Sequence, residues 1–297
     1  MGIRRSPGRF PCGGHRHYRP RHIPTHAHTQ QQESPTPFAE VNGQNIHYQD
    51  TGGDGPAIIL SHGFGMGHEM WIHQIDPLVG AGWRVVTYDE RSWGQTTHTE
   101  PFDYWDLAAD VVALMDHLGI DQAVLGGMSQ GGFLSMRAAL ATPERVRALV
   151  LVDTEAEVYS DEDRAQFQAL FDAAIAMGLT GEVGDVLAMT LFGPGFADVR
   201  YWRGKWTAKP IAAWLGAKEC LFERDDILDR LGEITCPSIV FHGDADVAIP
   251  VERGQRVSDS MSGPSTFVVV PGAGHASNLE APDLVNPAML EFLAGLD

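Results

Sequence analysis

The sequence predicts an α/β fold built on a mostly parallel sheet, and three observations carry that prediction. Short, wholly apolar runs recur down the chain, helical patterns separate them, and one long interval contains no strand-like run at all. Runs that are apolar throughout, without alternation, suit strands buried on both faces. Strands alternating with helices imply parallel crossovers, with helices covering both faces of the sheet.

Residues 38–50 read as two short alternating strands around Asn42-Gly43, the pair that suits a two-residue hairpin turn. Residues 57–60 form the first wholly apolar run, and 84–88 repeat the form. Leu107, Val111, Leu114 and Leu118 then fall on one helix face. Another apolar run at 123–125 is followed by a helix carrying Phe133, Met136 and Leu140, and 148–152 form the sixth strand. From Glu155 to about Ile234 the pattern fits roughly four helices. The first has Ser160 and Asp163 in a start-box arrangement, with Phe167, Leu170, Phe171 and Ala174 on one face. Thr235-Cys236-Pro237 restarts the sheet, with strands at 238–241 and 266–270. The expected division is a core of 38–154 and 235–297, with 155–234 as an aromatic-rich helical cap.

Residues 1–37 stand apart, with six arginines against one acid and too few apolar residues to form a buried face. Such a segment cannot offset its ordering entropy, so a disordered extension is expected. Arg4-Arg5 resembles the opening of a twin-arginine export signal, but no apolar stretch of ~7–15 residues follows, and a cytoplasmic location is expected. The 297 residues carry 39 acids against 21 Lys and Arg, a net −18 that argues against nucleic acid and anionic membrane surfaces as partners. No run approaches the ~18 apolar residues of a membrane helix. Cys12, Cys220 and Cys236 lack the spacing of a disulfide framework or a structural zinc site.

The chemistry concentrates at strand ends. Gly127-Met128-Ser129-Gln130-Gly131 follows a strand and precedes a helix, a context in which a sharp turn lifts a serine hydroxyl off the sheet edge. A serine nucleophile needs a base, and the base needs an orienting acid. His275 follows the last strand and Asp246 the seventh, both at the edge where open α/β sheets place their sites. Asp246 lies furthest out on its turn and is the favoured acid; Asp153 and Asp244 are the alternatives. His62-Gly63-Phe64-Gly65 follows the 57–60 strand, where the Phe64 N–H can pair with that of Gln130 to hold an oxyanion.

With these motifs, Asp89-Glu90-Arg91-Ser92-Trp93-Gly94 and Gly274-His275, the chain from about residue 38 onward resembles the α/β-hydrolase fold. Within it, the likeness is to capped esterases, enol-lactonases and cofactor-free haloperoxidase-like enzymes. The resemblance implies eight strands, a cap between the sixth and seventh, Asp246 as the acid, and no metal or cofactor. The expected activity is hydrolysis of a small-molecule carboxylic ester or lactone. A carbon–carbon bond hydrolase or an aminopeptidase with the same residues is the alternative, the latter needing an acidic anchor such as Glu155 or Glu157. A slow-turnover small-molecule receptor is the alternative of another class. Two positions depart from the family pattern. Ser92 stands where Gly is usual, and Pro287 interrupts the last helix, so Asn286 is expected to cap a helix starting there or the helix to kink. His68 and His73 are one residue too far apart for a zinc-binding H-E-x-x-H, and residues 52–56 read as a plain loop.

Overall fold

The computed structural model describes residues 37–98 and 100–296, so the expectation for the first 37 residues falls, Pro37 apart, outside the described residues. Eight strands form one sheet: β1 (Phe38–Val41), β2 (Gln44–Asp50), β3 (Ala57–Ser61), β4 (Arg84–Tyr88), β5 (Ala123–Met128), β6 (Val146–Val152), β7 (Ser238–Gly243) and β8 (Ser265–Val270). Their spatial order is β1-β2-β4-β3-β5-β6-β7-β8. Only the β1–β2 and β2–β4 pairings are antiparallel; every pairing from β4 to β8 is parallel. The β1–β2 hairpin turns on Asn42 (φ 48°) and Gly43 (φ 72°), two left-handed positions that these residue types tolerate.

β3, β5 and β7 are buried along their whole length, which explains their unbroken apolar or small-residue character. The covering helices are α1 (Ile72–Gly80), α2 (Tyr104–His117), α3 (Gln130–Ala141), α8 (Val251–Ser260), the single turn α9 (Ser277–Glu280) and α10 (Pro282–Ala294). α2 packs on α3 and α1 packs on α10. Asp103 starts α2 with a full capping box, its carboxylate accepting from the Trp105 and Asp106 N–H groups.

Four further helices stand between β6 and β7: α4 (Asp161–Met177), α5 (Gly181–Leu191), α6 (Val199–Ala208) and α7 (Leu215–Phe222). Ser160 caps α4 by accepting the Asp163 N–H at 3.1 Å, and three acids in the first turn favour the positive end of the helix dipole. Trp202, Trp206 and Trp214 are fully buried among these helices. Two contacts tie them to the sheet edge: Trp206 Nε1 donates to the Gly65 carbonyl at 2.7 Å, and the Gly193 N–H donates to Glu280 at 2.9 Å.

The last helix corrects one expectation. α10 begins at Pro282 and runs through Pro287, so Asn286 is not its cap. Asn286 instead donates to the His73 carbonyl at 2.8 Å and accepts from Gln74 Nε2 at 2.8 Å, fastening α10 to α1. Pro287 lacks one backbone donor, but cross-helix bonds at the preceding residue hold the helix there.

Candidate active site

The site begins at the turn between β5 and α3. Ser129 has φ 51° and ψ −114°, a strained conformation for a residue with a side chain, and its N–H donates to the Val152 carbonyl at 2.8 Å. The turn is this tight because the flanking glycines permit it. A Cβ at position 127 would sit 2.0 Å from the Gly131 carbonyl oxygen, and one at 131 only 2.4 Å from that of Ser61. Thr154 Oγ1, just past β6, donates to the Ser129 carbonyl at 2.8 Å and braces the turn.

His275, in the loop after β8, brings Nε2 to 2.9 Å from Ser129 Oγ. Its Nδ1 lies 2.7 Å from Asp246 Oδ2. Three distant stretches of chain thus bring a hydroxyl, an imidazole and a carboxylate into one line. The other two acids are occupied elsewhere. Asp244 accepts the Gly272 N–H at 2.6 Å, and Asp153 accepts the N–H groups of Gly243 at 2.8 Å and Ser277 at 2.7 Å. Asp246 Oδ1 takes the N–H groups of Ala248 and Ile249 at 2.8 and 3.0 Å, which fixes the carboxylate's orientation.

The electrostatics follow from this packing. Burial alone would raise the Asp246 carboxyl, but the His275 and His242 imidazoles beside it hold it well below the usual carboxylate range. Burial would likewise lower His275, yet the neighbouring Asp246 charge and hydrogen bond leave its pKa above the ordinary histidine value. Asp153 is fully buried, and that burial raises its pKa despite the nearby His242.

The loop after β3 reaches the same pocket through Phe64. The Phe64 N–H and the Gln130 N–H have no hydrogen-bond partner among the described residues. For Gln130 this is the ordinary state of the first residue of a helix, whose N–H points out of the helix end. His62 shapes the loop: its Nε2 accepts the Glu90 N–H at 3.0 Å while Nδ1 lies 2.9 Å from the Gly63 carbonyl. One nitrogen must accept and the other donate, so this ring is neutral, in keeping with burial that pushes its pKa down to about 4. Ser92 occupies the next loop at φ 71°, so this serine adopts the backbone that glycine would supply.

A mostly apolar pocket opens onto Ser129 and His275, with Phe64, Phe171, Leu187 and Trp214 in its walls. Phe64 meets Phe171 and Trp214 edge-on, with ring centroids 5.6 and 5.8 Å apart, so the inserted helices and the β3 loop share one aromatic wall. Glu155 and Glu157 are not available as anchors for an amine. Glu155 is buried between Arg224 and Arg253, at 2.6 and 2.5 Å, and Glu157 pairs with Arg256. Among the described residues, two clusters each bring three metal-type ligands together, His47–His68–Asp89 and Asp153–His242–Asp246. In both, the carboxylate oxygens already accept protein hydrogen bonds: Asp89 from His47, His68 and the Gln95 N–H, and Asp153 and Asp246 from the groups above. His68 and His73 lie in different elements, a 3-10 turn and α1.

A family model described as alpha/beta hydrolase fold matches residues 56–282. The chain belongs to the α/β-hydrolase-fold family. Among relatives of this hydrolase, 3-oxoadipate enol-lactonase 2 of Acinetobacter baylyi is 30% identical over 242 residues, covering 80% of this chain and 88% of that one. A non-heme haloperoxidase of Rhodococcus erythropolis is 27% identical over 277 residues, covering 86% and 99%. Among solved structures, the enol-lactonase from Burkholderia xenovorans aligns with a TM-score of 0.79 at 26% identity, over 87% of this hydrolase and all of that chain.

Sequence reasoning missed three groups around the site of this α/β hydrolase: Glu90 beneath Gln130, His242 beside Asp246, and Glu280, which accepts the N–H groups of Gly193 and Gly274. The first two sit at strand ends that the motifs had already marked. Glu280 carried no signal, because its partners are backbone groups of remote segments.

Proposed function

We propose that this α/β hydrolase is a serine hydrolase that cleaves a carboxylic ester or lactone through an acyl-enzyme. Ser129 Oγ attacks the carbonyl carbon while His275 Nε2 takes the hydroxyl proton, and Asp246 holds the imidazole in the productive tautomer and stabilises its charged form. The Phe64 and Gln130 N–H groups receive the developing oxyanion. His275 then passes its proton to the leaving alkoxide, and water repeats the sequence on the acyl-enzyme to release the acid and restore Ser129. A lactone would leave its alkoxide tethered to the acyl group, opening the ring. Residues 155–234 act as a cap over the core of 38–154 and 235–297, supplying the apolar wall that excludes water and selects the substrate.

The observation that carries this reading is the 2.9 Å approach of His275 Nε2 to Ser129 Oγ, with Asp246 on the far nitrogen. Kinship with enol-lactonases supports the lactone arm, and the apolar pocket supports an uncharged acyl group. A fluorophosphonate probe should label Ser129 and abolish turnover of p-nitrophenyl butyrate and of a γ- or δ-lactone panel. Full ester turnover by the labelled protein would sink the proposal.

A further inference from the structure

Glu90 is a buried acid two residues past β4, with no basic side chain bonded to its carboxyl among the described residues. Its Oε2 receives the Gln130 side-chain amide at 2.6 Å, and its Oε1 has no partner among the described residues. Its backbone N–H donates to His62 Nε2 at 3.0 Å, and His62 in turn grips the Gly63 carbonyl at 2.9 Å. One residue therefore touches both arms of the oxyanion site: the loop that carries the Phe64 N–H, through His62, and the first residue of α3, through its side chain. Burial holds the carboxyl far above its usual range, the Gln130 bond opposing only in part. That direction suits the place, because a negative charge held by the residue that carries the Gln130 side chain would oppose charge gathering at the Gln130 N–H.

We infer that Glu90 is a positioning residue: its buried carboxyl holds the Gln130 side chain, and with it the Gln130 N–H, while its backbone N–H holds His62 and the loop that carries the Phe64 N–H. The inference rests on the serine-hydrolase reading and adds to it a part that the reacting groups do not themselves contain. Donor pairs of this kind work only if they are already aimed when charge develops, since moving them during the reaction would consume the stabilisation they give. Small misplacements of such groups are costly in rate while leaving substrate affinity nearly untouched.

The test compares Glu90→Gln, Glu90→Leu and Gln130→Met in the full chain, using p-nitrophenyl butyrate turnover and inhibition by phenylboronic acid, which forms a tetrahedral adduct on a reactive serine. Glu90→Gln keeps a neutral hydrogen-bonding group of the same shape and should stay within about threefold of the parent in kcat. Glu90→Leu and Gln130→Met should each lower kcat on the order of tenfold or more, with KM within about threefold and boronate affinity weakened in parallel. Combining these two should cost little beyond either alone, because both cut the same bond. Unchanged kcat in both cut variants, a loss expressed in KM alone, or Glu90→Gln falling as far as Glu90→Leu would each overturn the inference. Should Glu90→Leu fail to fold, Gln130→Met severs the same contact from the other side and decides the matter. Fluorophosphonate labelling of Ser129 in the parent separates the two levels. If labelling fails, the serine-hydrolase reading falls; if labelling succeeds and the cut variants behave as the parent, only the role of Glu90 falls.

Discussion

His242 Nε2 stands 3.2 Å from the same Asp246 oxygen that His275 Nδ1 approaches at 2.7 Å. Asp246 therefore faces two imidazoles, and His242 Nε2 also lies 2.9 Å from the Ile249 carbonyl at the far end of the Asp246 turn. The carboxylate's orientation is over-determined: backbone donors fix one oxygen and ring nitrogens the other. That rigidity suits the orienting role proposed for Asp246.

Removing the hydroxyl or the orienting charge should be severe. Ser129→Ala is expected to lower kcat by ~10⁴–10⁶-fold, and Asp246→Asn by ~10⁴-fold because the imidazole then rests in the wrong tautomer. Steady-state turnover of p-nitrophenyl butyrate, with thermal melts to show that both variants remain folded, checks this.

The pH dependence has a definite sign. In the proposed mechanism His275 must be neutral to accept the serine proton, and Asp246 raises its pKa above the ordinary ~6.5. Activity should therefore fall as pH drops through a value above ~6.5. A kcat/KM profile whose acidic limb lies below that value would contradict the pairing of these two side chains.

Ser92 pays for its φ of 71° with strain that a glycine would relieve. Against this, glycine loses ~0.5–1 kcal/mol through the greater freedom of the unfolded chain. Ser92→Gly should leave stability unchanged or raise it by up to ~1 kcal/mol, seen as a small upward shift in Tm. A clear fall in Tm would mean that the serine side chain contributes packing the backbone argument omits.

Glu155 is the reverse case. It is fully buried and neutralises Arg224, whose side chain is 2% exposed, and also Arg253. Glu155→Ala leaves a buried guanidinium without its counter-charge and should cost ~3–5 kcal/mol. Urea unfolding midpoints measure that loss, and a change under ~1 kcal/mol would show that water or Asp163, already 2.6 Å from Arg253, takes over.

What the chain alone made legible is local. Strands buried on both faces must be apolar or small along their length, so β3, β5 and β7 stood out. A serine that must leave a strand and enter a helix within one residue needs small neighbours, so Gly127 and Gly131 marked Ser129. Less legible was anything set by contacts between remote segments. Asp153, Asp244 and Asp246 all follow sheet strands; the place of Asp246 furthest out on its turn favoured it, but only the fold shows the other two carboxylates taken up by backbone donors. Pro287 looked like a helix boundary because a proline removes a backbone donor; bonds from Asn286 to α1 keep the helix continuous there.

Read without coordinates, the chain already yields the α/β class, the alternation of strands and helices, and the place of Ser129 at a strand-to-helix turn, because these follow from burial periodicity and from steric limits on a few consecutive residues. It took the folded chain to show that Asp246 faces His275, that Glu155 pairs with two arginines, and that Glu90 lies under Gln130. Such outcomes depend on which groups from distant parts of the chain share a small buried volume. There, each carboxylate must find donors or give up its charge, and the first residues to reach it leave none for its rivals.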